Sequence, residues 1–325
     1  MRHVLVTHLD SIVGRRLVKA LFHDPEVSIV LGTGTGPRPS FLDAYQAKCA
    51  YQQLDLAKAR HLTSLFHSER FARARIDSVI HLPFVNEEGS GRIPGNVPSL
   101  VSETRRLLEA CKKHRSIERF VYLSSAFVYR PEPGNVNIFD EEHLLGFETE
   151  GDVQVRAWID ADLICQGELN DPQLKMTILR TATILTETGE FLQSPPLARG
   201  EAPLGFDPML SVVADRDVAR ALVLALHSDR PGIYNIAGGE VFPCSELRRG
   251  PRRIGPLPVP GVLSAAFSVV DQAIGLSRRR ESGLQRYGVV LDTRLARESL
   301  GFEPLYRIEL RGRGSARRVD TIRFR

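Results

Sequence analysis

Residues 120–129 of this chain have the sequence FVYLSSAFVY. Phe120 to Leu123 is a continuous apolar run, which predicts a strand buried on both faces of a parallel sheet. Two serines follow directly, so the strand is expected to end in hydroxyl groups at one edge of the sheet. The stretch therefore predicts a buried strand of a parallel sheet as the centre of the fold.

Strand-like and helix-like segments alternate on both sides of this stretch. Apolar runs typical of buried strands occur at 2–7, 27–31, 51–54, 77–82, 120–124 and 175–180. Apolar residues at helical spacing occur between them, at 13–22, 57–66, 97–114 and 155–169. This strict alternation predicts an α/β fold, a doubly wound parallel Rossmann-type sheet with helices on both faces.

The regular alternation ends near residue 185, where prolines and glycines begin to interrupt the chain. We expect a Rossmann-type dinucleotide-binding domain over residues 1–185 and a smaller C-terminal substrate lobe over most of 186–325. Residues 210–240, with a helical pattern and a short strand pattern, are expected to return to the first domain. An apolar helix is predicted around 262–274. Residues 307–325 hold seven arginines against two acidic residues, so the chain is expected to end in a basic tail.

The composition of the 325 residues, 42% hydrophobic and 25% charged, predicts an ordinary globular core. The four cysteines are far apart and form no Cys-x-x-Cys pair, so a metal site or a disulfide framework is not expected. Reduced thiols and a cytoplasmic location are the simple interpretation. No apolar stretch reaches the roughly 18 uncharged residues that a spanning helix needs.

The order and spacing of several short motifs resemble the extended short-chain dehydrogenase/reductase family, which includes NAD-dependent epimerases and dehydratases. The resemblance covers roughly residues 2–305. It rests on VLVT at 4–7 with Gly14, DL at 55–56, VIHL at 79–82, NV at 96–97, LLEA at 107–110, ILR at 178–180, VADRDVA at 213–219, GIYNIAG at 232–238, DT at 292–293 and LGFEP at 300–304. It implies the doubly wound fold described above and a site for NAD or NADP.

The resemblance also implies a catalytic Ser on the strand at 120–125, followed by a Tyr and, four residues later, a Lys on the next helix. Ser125 matches the Ser position, but Gln154 stands at the Tyr position and Trp158 at the Lys position. An amide exchanges no proton near neutral pH, and an indole offers only one N–H donor. No Tyr in the chain has a Lys four residues later. The standard acid/base pair is therefore expected to be missing.

The loop after the first strand departs from the family pattern as well. The three glycine positions that the resemblance assigns to a pyrophosphate loop hold His8, Ser11 and Gly14. His8 adds a Cβ where the turn needs a positive φ, and Asp10 adds a negative charge near the expected phosphates. Binding of NAD or NADP is accordingly expected to be weak, and a turn that binds no dinucleotide is an open alternative.

Further contacts to the cofactor follow from the resemblance. The end of the second strand, GTGTG at 32–36, carries no charge; Arg38 is the first charge after it, for a 2′-phosphate or simply for solvent. Asp55 fits the adenine side or a helix N-cap. The complete set of expected cofactor-binding residues is Thr7, Ser11, Val13, Gly14, Arg38, Asp55, Leu56, Leu82, Ser124 and Thr181.

Three functional hypotheses remain open. The first is a catalytically degenerate member that binds a nucleotide-like small molecule or a protein partner, with a homodimer as a further expectation. The second is a working NAD(P)-dependent oxidoreductase or epimerase whose acid/base group has moved, with Tyr129, Glu141 and His143 as candidates. The third is a basic anion-binding module that uses the arginines at 248–253, 278–280 and 307–325. Nucleic acid or an anionic membrane surface is the least favoured partner, because no aromatic residues interleave with these arginines.

Overall fold

The computed structural model describes residues 1–83, 97–131, 138–146, 153–189, 191–192, 201–202, 207–247, 253–254, 288–311 and 318–323. The predicted helix at 262–274 and the arginines at 278–280 lie outside the described residues. In chain order, the strands are β1 Arg2–Val6, β2 Val27–Gly34, β3 Cys49–Gln53, β4 Ser78–His81, β5 Arg119–Ser125, β6 Ile138–Phe139, β7 Lys175–Thr181, β8 Thr183–Leu185, β9 Phe191–Leu192, β10 Glu201–Ala202, β11 Met209–Ala214, β12 Gly232–Ile236, β13 Val241–Pro243, β14 Arg253–Ile254, β15 Val290–Leu291, β16 Tyr306–Arg311 and β17 Arg318–Arg323.

The helices surround these strands. They are α1 Ile12–His23, α2 Ala59–Phe66, α3 Glu69–Ala74, α4 Val97–Lys113, α5 Val153–Gln166, α6 Asp215–His227, α7 Cys244–Leu247 and α8 Arg294–Leu300. Two 3-10 turns, Ser40–Tyr45 and Ala126–Val128, connect strands to the segments that follow them. Among the described residues, no helix is long and apolar enough to cross a membrane.

Seven strands form one sheet in the order β12-β7-β5-β4-β1-β2-β3, and every pair in it is parallel. The chain starts in β1, moves outward to β3, and then crosses back through β4 and β5 to β12. This reversal of direction is the arrangement of a doubly wound sheet. The predicted fold class is confirmed.

The apolar runs form buried strands because both faces of the sheet are covered by helices. Val4 and Val6 of β1 pack in one apolar cluster with residues of α1 and α6, while Leu5 points to the other face. That second cluster contains residues of α2, α4 and α5. Val4, Leu5 and Val6 are all completely buried, as expected of a strand inside a two-sided core.

The remaining strands build smaller sheets. β11 lies in a four-stranded sheet of order β13-β11-β8-β9, and β16 pairs antiparallel with β17. The segment predicted to return to the first domain therefore divides between sheets, because β12 joins the edge of the large sheet while β11 does not. Part of the predicted basic tail forms the β16–β17 hairpin. All four cysteines are buried and free.

Candidate active site

β5 ends at Ser125, at the carboxyl edge of the seven-stranded sheet. Its partner in register is Thr181, the last residue of β7. Ser125 Oγ accepts the N–H of Phe127 at 3.3 Å and begins the turn Ala126–Val128. Thr181 Oγ1 donates a hydrogen bond to the carbonyl of Ser124 at 3.1 Å. Three predicted site residues thus lie together at the edge where open α/β sheets bind ligands.

Gln154 and Trp158 lie in the first half of α5, which packs against the turn after Ser125. Gln154 is half-buried. The indole of Trp158 is 4% exposed and stacks on the ring of Phe127, with 6.3 Å between ring centroids and 29° between ring planes. Phe127 is two residues from Ser125, so an aromatic contact lies at the position that the sequence resemblance assigns to an ammonium group.

The six lysines of the chain lie away from Ser125. All six lysines belong to the described residues. Lys19 is exposed midway along α1, and four others lie toward the amino edge of the sheet: Lys48, Lys112, Lys113 and Lys175. Lys58 lies at the carboxyl edge beside β3, with Nζ 3.4 Å from Asp55. β3 is four strands away from β5, which is about 19 Å at the usual strand spacing.

A buried ion pair fixes the strand that follows α5. Arg180 of β7 is 1% exposed and Asp162 of α5 is fully buried. Arg180 donates from Nη2 to Asp162 Oδ1 at 2.8 Å and from Nε to Oδ2 at 3.2 Å. Ser124 Oγ donates to the same carboxylate at 2.5 Å. The pair therefore ties β5, α5 and β7 together directly beneath the site.

The three candidates for a relocated acid/base group all have partners. Tyr129 is fully buried, its Oη donates to Asn235 Oδ1 at 2.7 Å, and burial raises the pKa of Tyr129 to about 12. Glu141 Oε1 accepts the N–H of Asn235 at 2.8 Å, and burial raises the pKa of Glu141. The ring of His143 stacks on Phe139 with 4.1 Å between centroids. These contacts give each group a structural role in the described region.

In the first loop, a backbone N–H that could bind an anion is already hydrogen-bonded, and the turn leaves little space for side chains. His8 has φ 46°, a left-handed conformation that favours glycine. Ser11 is the N-cap of α1, and its Oγ accepts the N–H of Gly14 at 3.0 Å. A phosphate at a helix N-terminus would use such N–H donors, and this one is already bonded. A Cβ on Gly14 would lie 2.5 Å from the carbonyl oxygen of Leu9, so only glycine fits there.

The side chain of His8 forms a buried pair with Glu103 of α4. His8 Nε2 is 2.6 Å from Glu103 Oε1, and the two residues are 8% and 6% exposed. The next ring along the edge belongs to His81, whose Nδ1 lies 2.8 Å from Thr7 Oγ1 and whose Nε2 lies 3.1 Å from Thr104 Oγ1. Burial lowers the pKa of His81 to about 4, so this second imidazole is neutral at physiological pH.

The two members of the His8–Glu103 pair shift each other's pKa in opposite directions. Burial lowers the pKa of His8, but the attraction and hydrogen bond of Glu103 raise it by more, so that it ends above its ordinary value of 6.5. Burial raises the pKa of Glu103, and His8 lowers it by more, to below its ordinary value of 4.5. The pair is therefore an imidazolium–carboxylate pair over the pH range between these values.

Glu103→Gln is expected to lower the free energy of unfolding by about 1–3 kcal/mol near pH 5.5. The contribution of His8, whose pKa is raised, is complete below pH 6.5 and is lost as pH rises through its folded value. The contribution of Glu103, whose pKa is lowered, is complete above pH 4.5 and is lost as pH falls through its folded value. The difference between wild type and variant should therefore peak between these limits and shrink toward pH 9.

Urea denaturation of both proteins across this pH range measures the difference. Glu109→Gln is the matched control, because Glu109 is exposed on the same helix. A destabilisation by Glu103→Gln that is the same at pH 5.5 and pH 9 would contradict the ion pair.

The residues predicted on the adenine side do not converge on one point. Arg38 is exposed and forms an ion pair with Asp43. Asp55 accepts the N–H of Ala57 at 3.0 Å and lies beside Lys58, so its carboxylate supports the turn before α2. Both side chains lie near the ends of β2 and β3, at the far edge of the sheet from Ser125.

The apolar members of the predicted set are part of the core. Val13, Leu56 and Leu82 are 0–2% exposed. The N–H of Leu82 donates to Thr7 Oγ1 at 3.0 Å, which joins the ends of β1 and β4. Thr7 and Leu82 therefore hold the ends of two neighbouring strands together at the carboxyl edge of the sheet.

The contacts of two polar residues at this edge could not be seen in the sequence. Glu103 gave no signal, because it is 95 positions from His8 and its pattern is that of an ordinary helical residue. For Asp10 the sequence predicts only a negative charge that repels phosphate. In the structure its Oδ2 accepts the N–H of Gly36 at 3.1 Å, so the carboxylate lies at the end of β2. Among the described residues, no group of three His, Cys, Asp or Glu side chains could hold a metal ion.

Known proteins resemble this chain over almost its whole length. It is 24% identical to an uncharacterised protein of Mycobacterium tuberculosis strain H37Rv, over 99% of this chain and 87% of that protein. Similar folds occur in MoeE5 in complex with UDP-glucose and NAD, with 21% identity, 93% of each chain covered and a TM-score of 0.61. The UDP-glucuronic acid 4-epimerase from Bacillus cereus, in complex with UDP-glucuronic acid and NAD, has 18% identity, 94% of each chain covered and a TM-score of 0.62.

These structural likenesses establish only the fold. A family model establishes the family to which the chain belongs. The model of the NAD dependent epimerase/dehydratase family matches residues 4–186, which is more than half of the chain and runs from within β1 to just past β8. The predicted resemblance is therefore confirmed. This chain belongs to the NAD dependent epimerase/dehydratase family.

Proposed function

We propose that this chain is a catalytically degenerate member of its family, which acts by binding a nucleotide-like ligand or a protein partner and not by hydride transfer. The observation that carries the proposal is the buried Trp158–Phe127 stack beside Ser125. The family mechanism needs an acid/base group and a nearby cation that tunes it. At this place the chain has an amide on Gln154 and a packed indole.

The rest of the molecule supports the same conclusion. The six lysines are all described, and none is within reach of Ser125. Tyr129 is enclosed and bonded to Asn235, so its phenol is not offered to a ligand. Within the part of the chain that the structure describes, hydride transfer would thus lack the family's partner for the proton that must move with it.

The contacts in the first loop are a reason to expect that a whole dinucleotide binds only weakly. Ser11 Oγ takes the N–H of Gly14, and the His8 side chain occupies the turn through its pair with Glu103. A pyrophosphate would have to compete with both contacts. Calorimetry should give a dissociation constant for NAD or NADP weaker than the low-micromolar range, and His8→Gly with Ser11→Gly should tighten it. A low-micromolar or tighter constant for the wild type would overturn this part of the proposal.

Thermal unfolding with and without NAD(H), NADP(H), adenosine and nucleotide sugars tests the proposal as a whole. A ligand at 100 times its dissociation constant adds about 2.7 kcal/mol to the free energy of unfolding. We expect stabilisation by a nucleotide-like compound, with no change of nicotinamide absorbance when alcohols or sugar nucleotides are added. Nicotinamide-dependent turnover would refute the degenerate assignment.

A further inference from the structure

The end of β2 lacks a charged residue of its own. β2 ends at Gly34, and the GTGTG run at 32–36 contains neither acid nor base. In doubly wound nucleotide-binding sheets, a carboxylate near the end of the second strand accepts the ribose 2′-hydroxyl. Arg38, the first charge after the run, is exposed and paired with Asp43. The second strand and the turn after it therefore supply no carboxylate for a ribose.

Asp10 fills that position from another element. It belongs to the loop between β1 and α1, yet its Oδ2 accepts the N–H of Gly36 at 3.1 Å, across 26 residues of sequence. Its Oδ1 lies against Gly34, where a Cβ would collide with it. A side chain at position 34 would therefore force the Asp10 carboxylate and the Tyr51 hydroxyl to shift from this place. The hydrogen bond holds the carboxylate in place over the strand end.

Tyr51 of β3 forms the neighbouring wall. Its Oη donates to the carbonyl of Gly36 at 2.9 Å and lies, like Asp10 Oδ1, against Gly34. Burial raises the pKa of Tyr51, and the negative charge of Asp10 raises it further, so the phenol is neutral. The Tyr51 hydroxyl and the Gly36 turn thus fix the geometry of the carboxylate without neutralising it.

The Asp10 carboxylate keeps acceptor capacity for a ligand. Two carboxylate oxygens offer about four lone-pair directions. The N–H of Gly36 takes one of them, and the Tyr51 hydroxyl, which reaches both Asp10 and the carbonyl of Gly36, takes a second. Asp10 is half-buried, none of the ion pairs formed among the described residues includes it, and its charge is one of those that attract the His8 imidazolium. A carboxylate with its remaining acceptor directions open accepts hydrogen bonds from hydroxyls and repels a phosphate.

We propose that Asp10, reaching from the first loop to the end of β2, is the ribose-recognising carboxylate of this chain. The site accordingly takes a nucleoside whose ribose carries free 2′- and 3′-hydroxyls and rejects a 2′-phosphate. This inference rests on the proposed function, because it specifies the nucleotide-like ligand of that site. It also replaces the interpretation of Asp10 as only a charge that repels pyrophosphate.

Calorimetry with adenosine, 2′-deoxyadenosine and adenosine 2′-monophosphate tests the assignment without involving the pyrophosphate loop. A hydrogen bond to a charged group contributes about 1.5–3 kcal/mol, so the wild type should bind adenosine at least about 10-fold more tightly than 2′-deoxyadenosine. The 2′-phosphate should weaken binding by a similar factor or more. Asp10→Asn should weaken adenosine binding about 10-fold, leave 2′-deoxyadenosine nearly unchanged, and reduce the discrimination against the 2′-phosphate.

Two further variants serve as comparisons. One tests whether the position of the Asp10 carboxylate matters, and the other tests whether the loss of any carboxylate changes the affinity. Gly34→Ala retains the carboxylate but displaces it together with the Tyr51 hydroxyl, so it should reduce the preference for the 2′-hydroxyl as Asp10→Asn does. Asp160→Asn removes a partly exposed carboxylate on α5, far from β2, and should change no affinity. Urea denaturation of each variant establishes that it is folded.

The outcomes distinguish this inference from the proposed function. If wild type and Asp10→Asn bind adenosine equally and discriminate equally, Asp10 is not the ribose carboxylate, although nucleotide binding stands. If the wild type binds none of the three compounds, the inference fails, and the proposed function retains only its protein partner. Nicotinamide-dependent turnover refutes the degenerate assignment but leaves the Asp10 result valid.

Discussion

Asp162→Ala is expected to lower the free energy of unfolding by about 3–5 kcal/mol. The substitution leaves the guanidinium of Arg180, which is 1% exposed, without its ionic partner. Ser124 Oγ and Gln166 Nε2 lose the same acceptor, from 2.5 and 2.7 Å. An uncompensated charge in the core costs far more than the loss of a surface ion pair, which is worth about 0–1 kcal/mol.

Denaturation in urea measures this change through the transition midpoint, provided that the slope stays constant. Asp160→Ala is the matched control, since it removes a partly exposed carboxylate from the same helix and breaks only an i,i+4 pair with Arg156. The double substitution Asp162→Leu with Arg180→Met should recover most of the loss, because no unpaired charge remains. A loss below about 1 kcal/mol for Asp162→Ala would contradict the buried pair.

Gln154→Tyr combined with Trp158→Lys is expected to give no hydride transfer and a less stable protein. Trp158 is 4% exposed and stacked on Phe127, so its replacement removes packing worth about 3–5 kcal/mol and buries part of an ammonium group. The crowded first loop, with Ser11 bonded to Gly14, is unchanged in the variant. Restoring two residue types therefore does not restore the site around them.

Denaturation and nicotinamide absorbance together measure this outcome. Gln154→Tyr alone is the control, because Gln154 is only half-buried and its replacement should alter stability little. A folded double variant with turnover well above that of the wild type would contradict this prediction. It would show that the site lacks only the Tyr and the Lys, and that the first loop does not prevent hydride transfer.

The parallel sheet could be predicted because its signal is local and repeated. The run from Phe120 to Leu123 is apolar at consecutive positions, which suits a strand with helices on both faces, and α1 places its apolar residues at helical spacing after the N-cap Ser11. The positive φ of His8 was also accessible, since a motif that expects glycine marks a turn that requires it.

The pairing of side chains between elements could not be predicted in the same way. His8 meets Glu103 across 95 residues, and Asp10 meets Gly36 across a strand and a helix. Such contacts depend on how loops lie over strand ends, which neither periodicity nor motif spacing specifies. The division of residues 210–240 between two sheets is similar, because the pattern of β11 is that of any buried strand.

The central claim is that the chain has lost the proton-transfer groups of hydride transfer. General acid–base assistance is worth roughly 100- to 10,000-fold in rate, so turnover by the family mechanism should be negligible without it. The most direct measurement compares nicotinamide-dependent turnover of the wild type and of Ser125→Ala on sugar nucleotides and simple alcohols. We predict no turnover by either protein above the rate without protein. Turnover by the wild type that Ser125→Ala abolishes, with the variant still folded by urea denaturation, would contradict the account.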